Sequence, residues 1–201
     1  GDKLRTGSPG RRYSPRRPPI PRPRDARRIG PIMRLRELIQ GLSVHAPDAA
    51  LDAEITAVTD DSREVVPGAL FVARPGVQTD GRRFIDAALA AGAAAVVVEP
   101  HPGESPPTGC PVVVTPDAAL LLAVAAERFH GSPTSAMQVV GVTGTNGKTT
   151  VCFLVRAILE EAGRRCGLVS TVRIDAGSGS EPIQKSTMTT PGAATLARVL
   201  G

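Results

Sequence analysis

The stretch MQVVGVTGTNGKTTVCFLVRAILEEAG, Met137 to Gly163, sets an apolar run, a glycine-rich loop and a helical pattern in immediate succession. Its lead-in, Met137–Gly144, reads as a buried strand. From Lys148 the spacing of apolar residues predicts a helix that Gly163 stops. The run CGLVSTV, Cys166–Val172, is expected as the next strand. Strand, loop, helix and strand in that order predict parallel βαβ units and an α/β fold.

The loop itself predicts phosphate binding. Gly144 and Gly147 allow a tight turn in which successive N–H groups point inward, and the N-terminus of the next helix adds partial positive charge. Lys148 can reach the outer phosphates of a nucleoside triphosphate, and the Thr149 hydroxyl can ligate a Mg²⁺ ion that bridges them. The common phosphate-loop spacing would place glycine where Val142 stands. Gly144 supplies the flexible point closer to the lysine instead. The competing reading is a glycine-rich turn with an incidental lysine, and the ordered Gly-Lys-Thr-Thr between a strand and a helix weighs against it.

Upstream, RLRELIQGL has Leu35, Leu38, Ile39 and Leu42 at helical spacing. EITAVTDDSR reads as strand-like, and Pro67-Gly68 as a turn leading into the strand ALFVA. DGRRFIDAALAAG reads as a helix entered at Asp80, with Phe84, Ile85, Ala88 and Leu89 on one face and Gly92 as its stop. AAAVVVE and CPVVVT are short continuous apolar runs, expected of strands covered on both faces. DAALLLAVAAERFHG is a helix with Asp117 near its start, and SPTS breaks the pattern. The expected organisation is a tail over residues 1–32, a small α/β domain over 33–133 and a second parallel-sheet domain begun over 134–201.

The net charge of +5 is unevenly spread. Residues 1–32 hold ten Lys and Arg against two Asp, whereas the remaining 169 hold fourteen basic residues against seventeen acidic ones. The basicity therefore belongs to the Arg/Pro-rich tail, which lacks the apolar periodicity needed to offset chain entropy and is expected to be disordered. Met33 opens a plausible native start. Only five aromatic residues and no Trp leave little for base stacking, so nucleic acid is not an expected partner. No secretory signal or membrane span is visible, and a cytoplasmic monomer is expected. Cys110, Cys152 and Cys166 are an odd, scattered set with no neighbouring histidine, which argues against a disulfide framework or a zinc site. His45, His101 and His130 are likewise isolated.

Two segments together carry a family resemblance. TGTNGKTT after its strand resembles the ATP loop of the Mur ligase family, and DDSREVVPGALFVARPGVQTDGRRFIDAALAAGAAAVVVE resembles the amino-terminal UDP-substrate domain of members that add the third or the last residues of the cell-wall peptide stem. STMTTPGAATLARVL resembles the third-residue branch more closely. The resemblance implies an ATP- and Mg²⁺-dependent ligase acting on UDP-MurNAc-L-Ala-D-Glu and a diamino acid, meso-diaminopimelate or lysine, through an acyl phosphate. It implies that Gly144, Thr145, Asn146, Gly147, Lys148, Thr149 and Thr150 bind ATP, with Lys148 and Thr149 catalytic. It further implies that Asp60 and Ser62 meet the UDP portion, that Val77, Gln78 and Thr79 lie on the uracil side, and that Thr189 and Thr190 contact the muramoyl dipeptide. Pro191 is expected at a first helical position.

Family members share their active site among three domains, and the acidic Mg²⁺ ligand, modified lysine and amino-acid-selecting segment have no counterpart in these residues. The 201-residue chain is therefore expected not to turn over alone. Other readings are the D-Ala-D-Ala-adding branch and a non-catalytic nucleotide-binding module with an arginine-rich arm.

Overall fold

The computed structural model describes residues 31–76, 79–101, 103, 107, 110–177 and 191–201. Strand β1 (Met33–Arg34) leads directly into helix α1 (Leu35–Ile39), followed by the short helix α2 (Asp48–Leu51). Strand β2 (Glu54–Ile55) returns antiparallel to β1, and β3 (Ala57–Thr59) and β4 (Ala69–Ala73) begin the main sheet. Helix α3 (Ile85–Ala90), β5 (Ala95–Val98), β6 (Val112–Val114) and α4 (Ala118–Phe129) complete the first part. Beyond them come α5 (Lys148–Glu161), β7 (Leu168–Val169), β8 (Ile174–Asp175) and α6 (Ala193–Leu200).

The main sheet has the order β3-β4-β5-β6, all parallel. Every residue of β4 and β5 is buried, because side chains alternate between two covered faces. Leu70, Val72, Ala95, Val97 and Val113 pack with α1 and α4, whereas Phe71, Ala73, Val96, Val98 and Val112 pack with Ile85 and Ala88 of α3. Asp117 caps α4 by accepting from the Leu120 N–H at 2.8 Å. The helix then turns Leu121, Leu122, Ala125, Ala126 and Phe129 into the core. Helix α6 lies against α4 and adds Ala194 and Ala197 to the same cluster.

The expected strand over Met137–Gly144 is not formed. Residues 138–143 carry no strand hydrogen bonding, and Val139 and Val140 are 68% and 71% exposed. Apolar composition makes a strand only where a neighbour's N–H and C=O groups complete the ladder, and among the described residues no strand runs beside this segment. Cys166–Val172 also differs from expectation. Only Leu168–Val169 is a strand, and it pairs antiparallel with β8 rather than through a parallel crossover. Ser170 closes that hairpin: its N–H donates to the Arg173 carbonyl at 2.9 Å, and its hydroxyl oxygen accepts from the N–H groups of Val172 and Arg173.

Two smaller differences have local causes. The segment entered at Asp80 begins as a 3₁₀ turn, Gly81–Phe84, which leaves Phe84 42% exposed instead of on the buried face of α3. Pro191 stands before the N-cap Gly192, so α6 starts two residues later than expected.

Candidate functional site

Residues Gly144–Thr150, the candidate phosphate loop, form one continuous unit at the N-terminus of α5. Gly147, with φ +79°, is its N-cap, and Gly144 has φ +149°. Both lie in the region that favours glycine, and nothing stands within 4 Å of a Cβ built at Gly147. The turn therefore requires glycine for its backbone and leaves open space over the helix end. Val151 N–H bonds the Gly147 carbonyl at 2.9 Å, so the N–H groups of Lys148, Thr149 and Thr150 precede the first helical bond. They are free to meet an anion.

Lys148 folds back over this turn. Its Nζ donates to the carbonyls of Gly144, at 2.5 Å, and Thr145, at 3.3 Å. The ammonium is thus held against the carbonyls of the same loop that leads into the helix N-terminus, where it can add charge to phosphate oxygens. Thr149 is half-buried, and its hydroxyl has no partner among the described residues. A hydroxyl oxygen at this place is a hard donor of the kind Mg²⁺ accepts, so the loop fits a Mg²⁺–triphosphate. Thr145 and Asn146 are exposed in the loop.

A second set of candidates lies at the carboxyl ends of the parallel strands, the edge where open α/β sheets hold ligands. Asp60 directly follows β3, and its Oδ2 accepts from Arg74 Nε at 2.7 Å. Asp61 caps the 3₁₀ turn Ser62–Glu64, accepting from the Arg63 N–H at 2.9 Å. The Arg63 guanidinium beside Asp61 holds its carboxyl below the usual carboxylate range, against the opposing effect of burial. Ser62 is half-buried, and its hydroxyl has no partner among the described residues.

Thr79 stands in the loop after β4. That loop closes on itself: Gly76 N–H donates to the Thr79 carbonyl at 3.2 Å, and Gly81 N–H to the Arg74 carbonyl at 3.1 Å. A Cβ at Gly76 would stand 2.5 Å from the Thr79 oxygen, and one at Gly81 2.6 Å from the Arg74 oxygen. Glycine is required at both feet of the loop. Val77, Gln78, Thr189 and Thr190 lie outside the described residues. Among the described residues no hydrogen bond or ion pair links 144–150 with 60–79.

The chain matches the model of the Mur ligase family catalytic domain over residues 54–132 and that of the Mur ligase middle domain over residues 142–201, together more than half of its length. The chain belongs to the Mur ligase family. A UDP-N-acetylmuramoyl-L-alanyl-D-glutamate--2,6-diaminopimelate ligase of Listeria innocua is 39% identical over 82% of this chain and 32% of its own length. One of the same name from Pseudomonas aeruginosa is 47% identical over 63% of this chain and 26% of its own. A solved structure of a diaminopimelate ligase superposes with a TM-score of 0.60 at 26% identity, covering 84% of this chain and 33% of that one. The chain thus spans about a third of the length of the curated Mur ligases it matches.

Several contacts of this Mur ligase chain escaped the sequence. Arg74, the residue after the buried strand ALFVA, carries a signal of its own: a cation placed where an apolar strand meets the carboxyl edge. Glu99, in the same position after β5, accepts from the Ala118 N–H at 2.9 Å, and the Arg82 guanidinium donates to its backbone carbonyl. Asp175 is only 4% exposed and bonds both Arg156 and Arg173 at 2.8 Å. Burial works to raise its pKa, but the Gly177 N–H and the two arginines prevail and hold it below the usual range.

Proposed function

We propose that this chain carries the ATP loop and the UDP-substrate edge of a ligase that adds meso-diaminopimelate to UDP-MurNAc-L-Ala-D-Glu in peptidoglycan precursor synthesis. The observation that carries the reading is the glycine turn on α5, with Lys148 folded over it and three N–H groups that precede the first helical bond. The identity to diaminopimelate ligases across both parts of the chain supports the substrate assignment.

In the proposed reaction a D-Glu carboxylate oxygen attacks the γ-phosphorus of ATP, and ADP leaves. The diaminopimelate amine then attacks the acyl carbon, phosphate departs with the C–O bond electrons, and an amide remains. The loop's N–H groups would orient the phosphates, and Lys148 would offset charge on the transferring group. Thr149 would hold Mg²⁺, which when bound supplies further neutralisation of the phosphates. Asp60, Ser62 and Val77–Thr79 would hold the uridine diphosphate end, and Thr189 and Thr190 the dipeptide. The proposed place of work is the cytoplasm; no helix among the described residues is long and apolar enough to cross a membrane.

Titration of ATP with Mg²⁺ into the chain, followed by calorimetry, tests the carrying observation. Lys148→Ala should weaken binding at least tenfold, about 1.4 kcal/mol, without altering the far-UV spectrum. Equal affinity in the variant would refute the assignment of the loop.

A further inference from the structure

The Asp60–Arg74 ion pair joins the ends of two neighbouring strands. Both side chains are partly open to solvent, 23% and 42% exposed, and such pairs contribute little to folding. Their placement is more telling. Strands β3 and β4 are adjacent and parallel, with Thr59 opposite Phe71. Asp60 and Arg74 each follow the last residue of their strand, so the ion pair ties the two carboxyl ends together. On one side, Asp60 directly precedes Asp61, the cap of the turn that presents the unpartnered Ser62 hydroxyl. On the other, the Arg74 carbonyl receives the Gly81 N–H and closes the loop that carries Thr79. One residue therefore closes one candidate segment by its backbone and anchors the other by its side chain.

We propose that Arg74 is a positioning residue for the uridine-diphosphate end of the substrate, acting through Asp60 to fix Ser62 relative to Thr79. The inference rests on the substrate reading given above. The bond is made by Nε, a directed donor of a planar group. A lysine ammonium at the same position retains the charge but not that geometry.

Calorimetric binding of UDP-MurNAc-L-Ala-D-Glu to the whole chain tests this, with ATP binding measured in parallel. Arg74→Ala, Arg74→Lys and Asp60→Asn should each weaken the UDP compound about tenfold, and the double variant Asp60→Asn/Arg74→Ala should lose no more than the singles. ATP affinity should be unchanged in all of them, which separates lost positioning from lost folding. Arg36→Ala, which removes an exposed partner of Asp52 away from this edge, should bind both ligands as the parent does. Full affinity of Arg74→Ala for the UDP compound would overturn the proposal while leaving the substrate reading intact. Loss in Arg74→Ala but not in Asp60→Asn would also overturn it, because Arg74 would then act on the ligand directly. Absence of binding by the parent chain would remove the substrate reading and the inference with it.

Discussion

At the scale of single residues, the loop on α5 separates two kinds of requirement. Gly147 is needed for its backbone: at φ +79° any side chain is strained by about 1–2 kcal/mol, although the space over it is open. Thr149 is needed, in the proposed site, for its oxygen. Thr149→Ala removes both the hydroxyl and the γ-methyl, but only the hydroxyl can ligate a metal, so a change in the Mg²⁺ response alone reports on the oxygen. In the parent chain, Mg²⁺ should tighten ATP binding relative to EDTA. In Thr149→Ala that gain should fall about tenfold, ~1.4 kcal/mol, while affinities in EDTA stay equal. A variant with the full Mg²⁺ response would show that another group holds the ion. The place of Lys148 and Thr149 at the start of α5 was legible in the sequence because Gly-Lys-Thr is contiguous and opens the helix. Arg74 was not, since its partner Asp60 lies fourteen residues away and only the register of β3 on β4 brings them together.

Elements were legible where composition and context agree. ALFVA, AAAVVVE and CPVVVT each gave a strand because both sheet faces are covered, and Asp117 marked the start of α4 through its own side-chain bond. The same logic failed for Met137–Gly144, whose apolar residues have no ladder partner, and for Cys166–Val172, where Ser170 makes a tight turn that a parallel strand would not contain. The packing of α6 on α4 was also hidden, as small residues such as Ala194 and Ala197 give little pattern of their own. That packing has a pH consequence. His130, at the end of α4, has its pKa lowered from 6.5, first by burial and then by Arg198 of α6, with Glu127 acting in the opposite sense. The folded chain therefore prefers the neutral ring, and the unfolded chain binds the proton more readily. Stability from this site is full above the unfolded value and declines as pH falls below it towards the lowered folded value. Urea unfolding at pH 7.5 and pH 5 should show a loss at the lower pH that His130→Asn reduces. An identical loss in the variant would place the titration elsewhere.

Across the molecule, buried apolar residues are concentrated before Gly131. After it, among the described residues, only Pro133, the β7–β8 hairpin and α6 contribute buried apolar side chains, and α5 buries none along its length. Val139, Val140, Val151, Leu154 and Ile158 all stand open to solvent. Local opening follows this distribution, because a segment with few buried contacts exposes its backbone at little free-energy cost. Thermolysin, which cleaves before large apolar residues, should therefore cut first between Val139 and Ile158 and leave Leu35–Phe129 as a persistent product. Leu121 and Leu122 offer the same chemistry to the protease but are 1% exposed under α6 and the sheet. A ligand held by Gly144–Thr150 acts on the first segment alone: at a hundredfold excess over its Kd it stabilises the bound form by about 2.7 kcal/mol. ATP with Mg²⁺ should thus slow the early cuts and leave the later digestion of Leu35–Phe129 unchanged. Protection spread equally over both segments would mean that the nucleotide binds across the α4–α6 contact rather than at the loop on α5.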